Sequence, residues 1–217
     1  MRTVFFDNDI VYKLAAYGLL DDACVLLGVA PRDVRVLDSC FHRINRLKGE
    51  RMDAFEERYT VAGRLRALAF AREAVTSFAL DAEAQALLHE VGEHTDGLDV
   101  GEQILLAGSL AAPSVYLVSG DKRWPPVVCE QEACDPVRKG MAGAVWCLEC
   151  VVLALIARNG YDMVHTAIST CPQADTYLKM AFREPDEART LDYLQREVRR
   201  LTSLYGGMMT PLPVEPG

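Results

Sequence analysis

The chain has 217 residues, half of them hydrophobic, and its 31 acidic and 23 basic side chains give a formal net charge of −8. This composition excludes general disorder and supports one domain with an appendage, or two small domains. The whole molecule repels polyanions, so a nucleic-acid role requires a local basic patch or bound cations.

The sequence also gives an expectation for the cellular compartment. No long apolar segment with a small-residue cleavage site follows Met1, which predicts a cytoplasmic protein. The longest apolar stretch, residues 141–157, contains Glu149 and is short for a membrane span, so we expect no membrane association. The seven cysteines are expected to be buried thiols in a reducing cytoplasm.

The first elements are a strand and a helix. The apolar run 4–6 predicts a buried strand that ends at Asp7 and Asp9, and residues 10–20 predict the helix after it. Residues 34–37 predict a second strand. Apolar positions then recur at helical spacing from 41 to about 79, and this segment is cationic. Its basic residues are Arg43, Arg46, Lys48, Arg51, Arg58, Arg64, Arg66 and Arg72.

The later elements continue the alternation of strand and helix. We predict a helix at 82–91 capped by Asp81, and a helix that opens near Asp99 and ends before Pro113. Strands are predicted at 115–118 and 144–147. Helices are predicted at 148–158, 161–168, 175–182 and 185–204.

This order predicts an α/β fold with a central parallel β-sheet flanked by helices and a helical C-terminal extension. We expect residues 1–130 to form the α/β domain and residues 131–208 to hold the last strand and the helical extension. Residues 209–217, with three prolines, predict a disordered tail.

Acidic side chains fall at one edge of the predicted sheet. They are Asp7 and Asp9 after the first strand, Asp99 and Glu102 at a helix start, and Asp121 after the strand at 115–118. Clustered carboxylates favour a neutralising cation, and Mg²⁺ or Mn²⁺ suits oxygen ligands. Each acid also has a structural alternative, as an N-cap, a capping box or a turn residue.

Three blocks of residues resemble the PIN-domain family of metal-dependent nucleases. They are VFFDND at 4–9, LDVGEQI at 98–104 and VYLVSGDKR at 115–123. The last two are similar to that family's glycine-glutamate helix start and its strand-to-aspartate exit. The resemblance covers roughly residues 1 to 130 and implies a ribonuclease of the toxin or RNA-processing type.

The resemblance makes Asp7, Glu102 and Asp121 catalytic metal ligands around Mg²⁺ or Mn²⁺. Asp9 would stand beside them in the metal site, and Asp99 would support or cap. The family also supplies an acid at the helix after the second strand, where this chain has no glutamate and Asp38 is the nearest substitute.

The substrate would be RNA, and basic side chains would hold its phosphates. We expect Lys13, Lys122 and Arg123 beside the scissile phosphate, and the cationic segment that includes Arg43 and Arg46 along the strand. A protein partner such as an antitoxin, and a homo-oligomer, are further expectations.

Two alternatives remain open. In a haloacid-dehalogenase-like phosphatase Asp7 would be the nucleophile, Asp9 the general acid/base and Ser119 the phosphate-binding hydroxyl. In a catalytically silent PIN-like module the C-terminal helices would dock a partner. Glu149, the only charge in its apolar run, is expected to face the cleft or to pair with a basic helix.

Overall fold

A parallel sheet forms the centre of the computed structural model, which describes residues 3–76, 80, 82–94, 97–112 and 115–210. Its strands are β1 (Thr3–Phe6), β2 (Val34–Val36), β3 (Val115–Ser119) and β4 (Val145–Cys147). They lie in the spatial order β2-β1-β3-β4, and all neighbours are parallel. The predicted α/β fold with a central parallel sheet is confirmed.

Single-residue bridges widen the sheet at both edges. Val75 pairs with Arg35 of β2, and Met209 pairs with Val145 of β4. Met209 is buried, and the amide of Thr210 donates to the carbonyl of Val145 at 2.8 Å. The prediction of a disordered tail is therefore wrong at Met209 and Thr210, while residues 211–217 lie outside the described residues.

The first predicted helix is shorter than expected. It becomes α1 (Asn8–Tyr17) and ends at Gly18, whose φ of 73° is the left-handed conformation that glycine adopts without strain. A further helix, α2 (Leu20–Leu27), follows at once and was not predicted. The left-handed turn at Gly18 therefore separates the two helices.

The long helical segment divides into three helices. These are α3 (Asp38–Asn45), α4 (Glu50–Tyr59) and α5 (Val61–Glu73). The breaks fall at Gly49 and Thr60, both of which have positive φ, and the Thr60 hydroxyl caps α5 by accepting from the Gly63 amide. The helical region predicted from 41 to about 79 is thus helical with breaks as far as Glu73, and residues 77–79 lie outside the described residues.

The remaining helices flank β3 and β4. They are α6 (Ala82–His94), α7 (Val100–Leu110), α8 (Trp124–Glu130), α9 (Asp135–Gly140), α10 (Leu148–Asn159), α11 (Tyr161–Ser169), α12 (Thr176–Ala181) and α13 (Glu187–Leu204). The short helices α8 and α9 were not predicted. The roles expected of Asp81 and Pro113 lie outside the described residues.

The C-terminal helices share the core of the sheet. Leu155, Leu178 and Leu201 are fully buried in one hydrophobic cluster with Phe5 and Leu14. The predicted boundary after residue 130 therefore does not separate two cores. Six of the seven cysteines are buried, as predicted, and Cys129 is half-buried. Within the described ranges no helix has the length and apolarity to cross a membrane.

Candidate active-site groove

The strand order of the sheet has a switch point between β1 and β3. From β1 the next strand is added on one side, and β3 and β4 are added on the other. In open parallel sheets such a switch point opens a crevice at the carboxyl ends of the two strands. Asp7 follows β1 directly and Asp121 follows β3 by two residues, so both acids lie at this crevice.

The crevice is the head of a large open groove. The groove has a volume of about 1170 Å³, which exceeds the roughly 300–1000 Å³ of most small-molecule pockets. Carboxylates and arginines both line it. The carboxylates belong to Asp7, Asp9, Asp99, Glu102 and Asp121, and the guanidinium groups to Arg43, Arg46, Arg51, Arg58 and Arg123.

Ser119 orients Asp7. Its hydroxyl accepts from the Asp121 amide at 3.2 Å and from the Trp124 indole Nε1 at 3.2 Å. A serine hydroxyl has two acceptor positions and one proton, so these two donors direct its proton to a third partner. That partner is Asp7 Oδ2, at 3.0 Å. Ser119 therefore presents a donor to Asp7 in a fixed direction.

The pKa of the Asp7 carboxyl is raised in the folded protein. Burial and the neighbouring charges of Asp9 and Asp121 raise its pKa to about 6, although the hydrogen bond from Ser119 opposes the shift. Asp7 also lines a small cavity of about 10 Å³ together with Glu102. A bound cation at this place would relieve the repulsion that raises the pKa.

Asp99 and Glu102 form the capping box that their spacing allows. The Glu102 amide donates to Asp99 Oδ1 at 2.8 Å, and the Asp99 amide donates to Glu102 Oε2 at 2.8 Å. Burial and the charges of Asp99 and Asp121 raise the pKa of Glu102. The structural role is thus present, and it holds one oxygen of Glu102, which lines the small cavity together with Asp7.

Asp121 is paired with Arg123. The Arg123 Nε lies 3.0 Å from Oδ1 and 2.9 Å from Oδ2, and Nη2 contacts Oδ2 as well. The Arg123 amide also donates to Oδ1, at 2.8 Å, so Asp121 forms the turn expected of it. Against the effect of burial, these hydrogen bonds lower the pKa of Asp121.

Lys13 does not face the groove as a phosphate contact, so that prediction is wrong. It is buried, and its Nζ lies 2.6 Å from Asp9 Oδ2 and 2.8 Å from Asp175 Oδ2. Burial alone would lower the pKa of Lys13, but the two carboxylates raise it. Gly120 permits this arrangement, because a Cβ at Gly120 would meet Asp9 Oδ2 at 2.5 Å.

Lys122 is bound by carboxylates of the protein itself and does not line the groove, so its contact with phosphate stays a prediction. Its Nζ lies 2.5 Å from Glu149 Oε1 and 2.8 Å from Glu197 Oε1, and 4.7 Å from the centre of the Tyr177 ring. Glu149 therefore has a cationic partner as expected, but the partner is in the loop after β3 and not on a basic helix. The reason is long-range packing of α10 and α13 on that loop.

The basic residues of the cationic segment have different surroundings on α3, α4 and α5. On α4 the positions that line the groove recur every three or four residues and carry no acid: Arg51, Ala54, Phe55, Arg58 and Tyr59. Glu56 instead pairs with Arg64 of α5, and Arg66 donates to the Ala15 carbonyl. Arg43 and Arg46 lie on the groove wall, as the RNA-binding expectation requires.

Asp38 does not supply the missing acid. It begins α3, is well exposed and pairs with His42 at 3.2 Å. The groove lining includes Ser39 and His42 but not Asp38. The acids at the groove head are therefore those of β1, β3 and α7.

The donor chemistry suits a hard cation, but the side chains are not closed around one. Among the residues whose placement is described, no three His, Cys, Asp or Glu side chains are grouped closely enough to hold a metal ion as they stand. Asp121 is engaged by Arg123, and Asp9 by Lys13. Carboxylate oxygens at one groove head are nevertheless the ligands that Mg²⁺ and Mn²⁺ prefer.

Comparison of the chain with protein-family models, with curated proteins and with solved structures finds no match. The interpretation of the groove therefore rests on its own geometry, and the resemblance to PIN nucleases stays an expectation.

Two details of the site were not predicted: the role of Ser119 in orienting Asp7, and which face of the cationic segment lines the groove. The role of Ser119 in orienting Asp7 had one signal, its place at the end of a strand beside the acid-bearing strand. The groove face of α4 also had a signal in the sequence, because Arg51 and Arg58 lie seven residues apart, which is two helical turns.

Proposed function

We propose that this protein is a Mg²⁺- or Mn²⁺-dependent ribonuclease of PIN-like type that hydrolyses phosphodiester bonds in the groove. One observation carries the proposal: carboxylates at the switch point of a parallel sheet share an open groove with exposed arginines, here called the arginine wall, which are Arg43, Arg46, Arg51 and Arg58. The carboxylates suit a cation and the arginines suit a chain of phosphates. The groove is also larger than a small substrate requires.

Asp7, Glu102 and Asp121 would hold the cation, with Asp9 and Asp99 beside them. The raised pKa of Asp7 supports this, because burial and the charges of Asp9 and Asp121 disfavour its charged form, and a bound cation would favour that form. When bound, the cation would activate water and neutralise charge that develops on the phosphate.

The chain's own groups would prepare the site. Ser119 fixes the direction of Asp7, and the capping box holds Glu102 at the start of α7. Arg43, Arg46 and the α4 arginines would hold the phosphates that flank the scissile bond. These contacts go to the backbone and not to bases, so they favour binding without strong sequence preference.

The geometry gives less support to the phosphatase alternative. Ser119 directs its proton to Asp7 and uses its acceptor positions internally, so its hydroxyl is not free for a phosphate. The nearby lysines, Lys13 and Lys122, are each held between two carboxylates.

A cleavage assay separates the alternatives. Wild-type protein is expected to cut a mixed single-stranded RNA with Mg²⁺ or Mn²⁺, to stop in EDTA, and to leave an aryl phosphate intact. Asp121→Asn is expected to lose at least about 100-fold, because removing even an outer partner of a metal ligand costs 10- to 100-fold. Asp192→Asn, an exposed residue of α13, is the matched control. Aryl-phosphate turnover would favour the phosphatase, and no turnover by the folded protein would favour the interaction module.

The arginine wall makes a separate prediction about binding. Arg46→Gln and Arg58→Gln are each expected to weaken RNA binding several-fold in EDTA, where no cleavage occurs. Each is also expected to reduce the slope of log affinity against log salt concentration by about 0.7, the value per phosphate contact on single strands. Fluorescence anisotropy over a salt series measures both quantities. Arg189→Gln, an exposed arginine of α13, should leave the slope unchanged; equal slopes in all four proteins would remove the wall from RNA binding.

A further inference from the structure

The structure places Arg123 between the two groups that the proposed function brings together. Its guanidinium engages both oxygens of Asp121, with Nε at 3.0 Å from Oδ1 and 2.9 Å from Oδ2. The same side chain is 80% exposed and lines the groove with the arginine wall. The Asp121 carboxylate is therefore already bound by a side chain that lines the groove in which the phosphates would lie.

We propose that Arg123 is a latch, which keeps Asp121 from binding a cation until a phosphate in the groove draws the guanidinium away. The inference rests on the proposed function, since it concerns the same carboxylate. A planar guanidinium binds phosphate and carboxylate in the same two-pronged manner, so a phosphodiester is a direct competitor of Asp121. The Arg123 side chain is 80% exposed although that of Asp121 is only 18% exposed, so the guanidinium can exchange Asp121 for another anion without leaving solvent.

The surrounding loop is built so that only the latch side chain has to move. Lys122 is held by Glu149 and Glu197, and the Tyr205 hydroxyl donates to the Asp121 carbonyl at 3.3 Å. The loop backbone is thus anchored on α10 and α13 on one side. On the other side, the Asp121 amide donates a hydrogen bond to the Ser119 hydroxyl, so Asp121 keeps its place when the Arg123 side chain leaves.

The latch couples two binding events. Phosphate that removes Arg123 frees Asp121 for a cation, and a cation on Asp121 frees Arg123 for phosphate. Because coupling between two ligands is reciprocal, RNA must tighten cation binding by the factor by which the cation tightens RNA binding. Without the latch, the cation binds more tightly alone and gains less from RNA.

The test is Mn²⁺ affinity, measured by isothermal titration with and without a cleavage-resistant 2′-O-methyl RNA oligonucleotide. Arg123→Gln is expected to bind Mn²⁺ at least roughly 2- to 5-fold more tightly than wild type without the oligonucleotide, since even a fully exposed ion pair supplies that range. The oligonucleotide should tighten Mn²⁺ binding in wild type and have little effect in Arg123→Gln. Arg196→Gln, which breaks the exposed pair with Asp192 on α13, should behave as wild type.

A second substitution separates geometry from charge. Arg123→Lys keeps the positive charge but cannot engage both oxygens, so the latch predicts an affinity between those of wild type and Arg123→Gln. Wild-type affinity in Arg123→Lys would assign the effect to charge and overturn the latch. Mn²⁺ binding by wild type with no gain in Arg123→Gln would also overturn the latch while leaving the proposed function standing. No Mn²⁺ binding by any of these proteins would overturn both.

Discussion

Replacement of Asp7 by asparagine is expected to abolish metal-dependent RNA cleavage and, at the same time, to stabilise the metal-free protein. The loss of activity should be at least about 100-fold, because the substitution removes a proposed metal ligand at the centre of the groove head. The gain in stability arises because asparagine still accepts the hydrogen bond from Ser119 but carries no charge beside Asp9 and Asp121.

The gain should depend on pH in a defined direction. Burial, with the charges of Asp9 and Asp121, raises the pKa of Asp7 from 3.8 to about 6 in the folded protein. The folded state therefore holds the Asp7 proton more tightly than the unfolded state does, so wild-type stability falls as the pH rises from about 4 to 6. The full difference corresponds to about 3 kcal/mol at pH 7, an upper figure because Asp7 keeps some contact with solvent.

Urea unfolding in EDTA at several pH values measures this effect. The free energy of unfolding of Asp7→Asn should equal that of wild type below about pH 4 and exceed it increasingly up to pH 7. Asp192→Asn, with an exposed carboxylate, should show no such trend. A stability difference independent of pH, or cleavage within tenfold of wild type, would contradict the role given to Asp7.

The second large effect is expected at Lys122. The Lys122→Met substitution should lower the free energy of unfolding by about 3–5 kcal/mol, the usual result of removing one partner of a buried ion pair. Glu149 is only 1% exposed and depends on Lys122 for its positive partner. Its second oxygen, Oε2, already has no hydrogen-bond partner within the described residues. Loss of Lys122 would leave a buried carboxylate without compensation.

A double substitution tests this explanation. Lys122→Met combined with Glu149→Leu should recover most of the loss, since an apolar pair of similar volume replaces a buried ion pair at little cost. Lys139→Met, at a side chain that is 81% exposed, should change stability by less than about 0.5 kcal/mol. A loss below 1 kcal/mol in Lys122→Met, or no recovery in the double variant, would contradict the account of Glu149.

Sequence patterns predicted the features that depend on neighbours in the chain. The four strands and the capping box at Asp99 follow from short runs of residues, and the parallel sheet then places Asp7 near Asp121. The broken helices show the limit of periodicity, because Gly49 and Thr60 interrupt a pattern that otherwise continues. The dihedral angles at such positions, and not hydrophobic spacing, decide where those helices end.

Long-range partners could not be predicted from spacing. Lys13 has the charge and position of a phosphate contact, but Asp175 of the C-terminal extension draws it into the protein. Lys122 is removed from the groove in the same way by Glu197. Arg46 and Arg58, by contrast, line the groove. The partner protein, the oligomer and the toxin-type role stay predictions of the resemblance.

The central claim is that Asp7, Glu102 and Asp121 together bind a divalent cation at the head of the groove. Anomalous diffraction from crystals grown with Mn²⁺ and the 2′-O-methyl RNA oligonucleotide tests it most directly. The account predicts a manganese peak within coordination distance, about 2.0–2.6 Å, of oxygens from these carboxylates. A peak at other residues only, or no peak at saturating Mn²⁺, would contradict it.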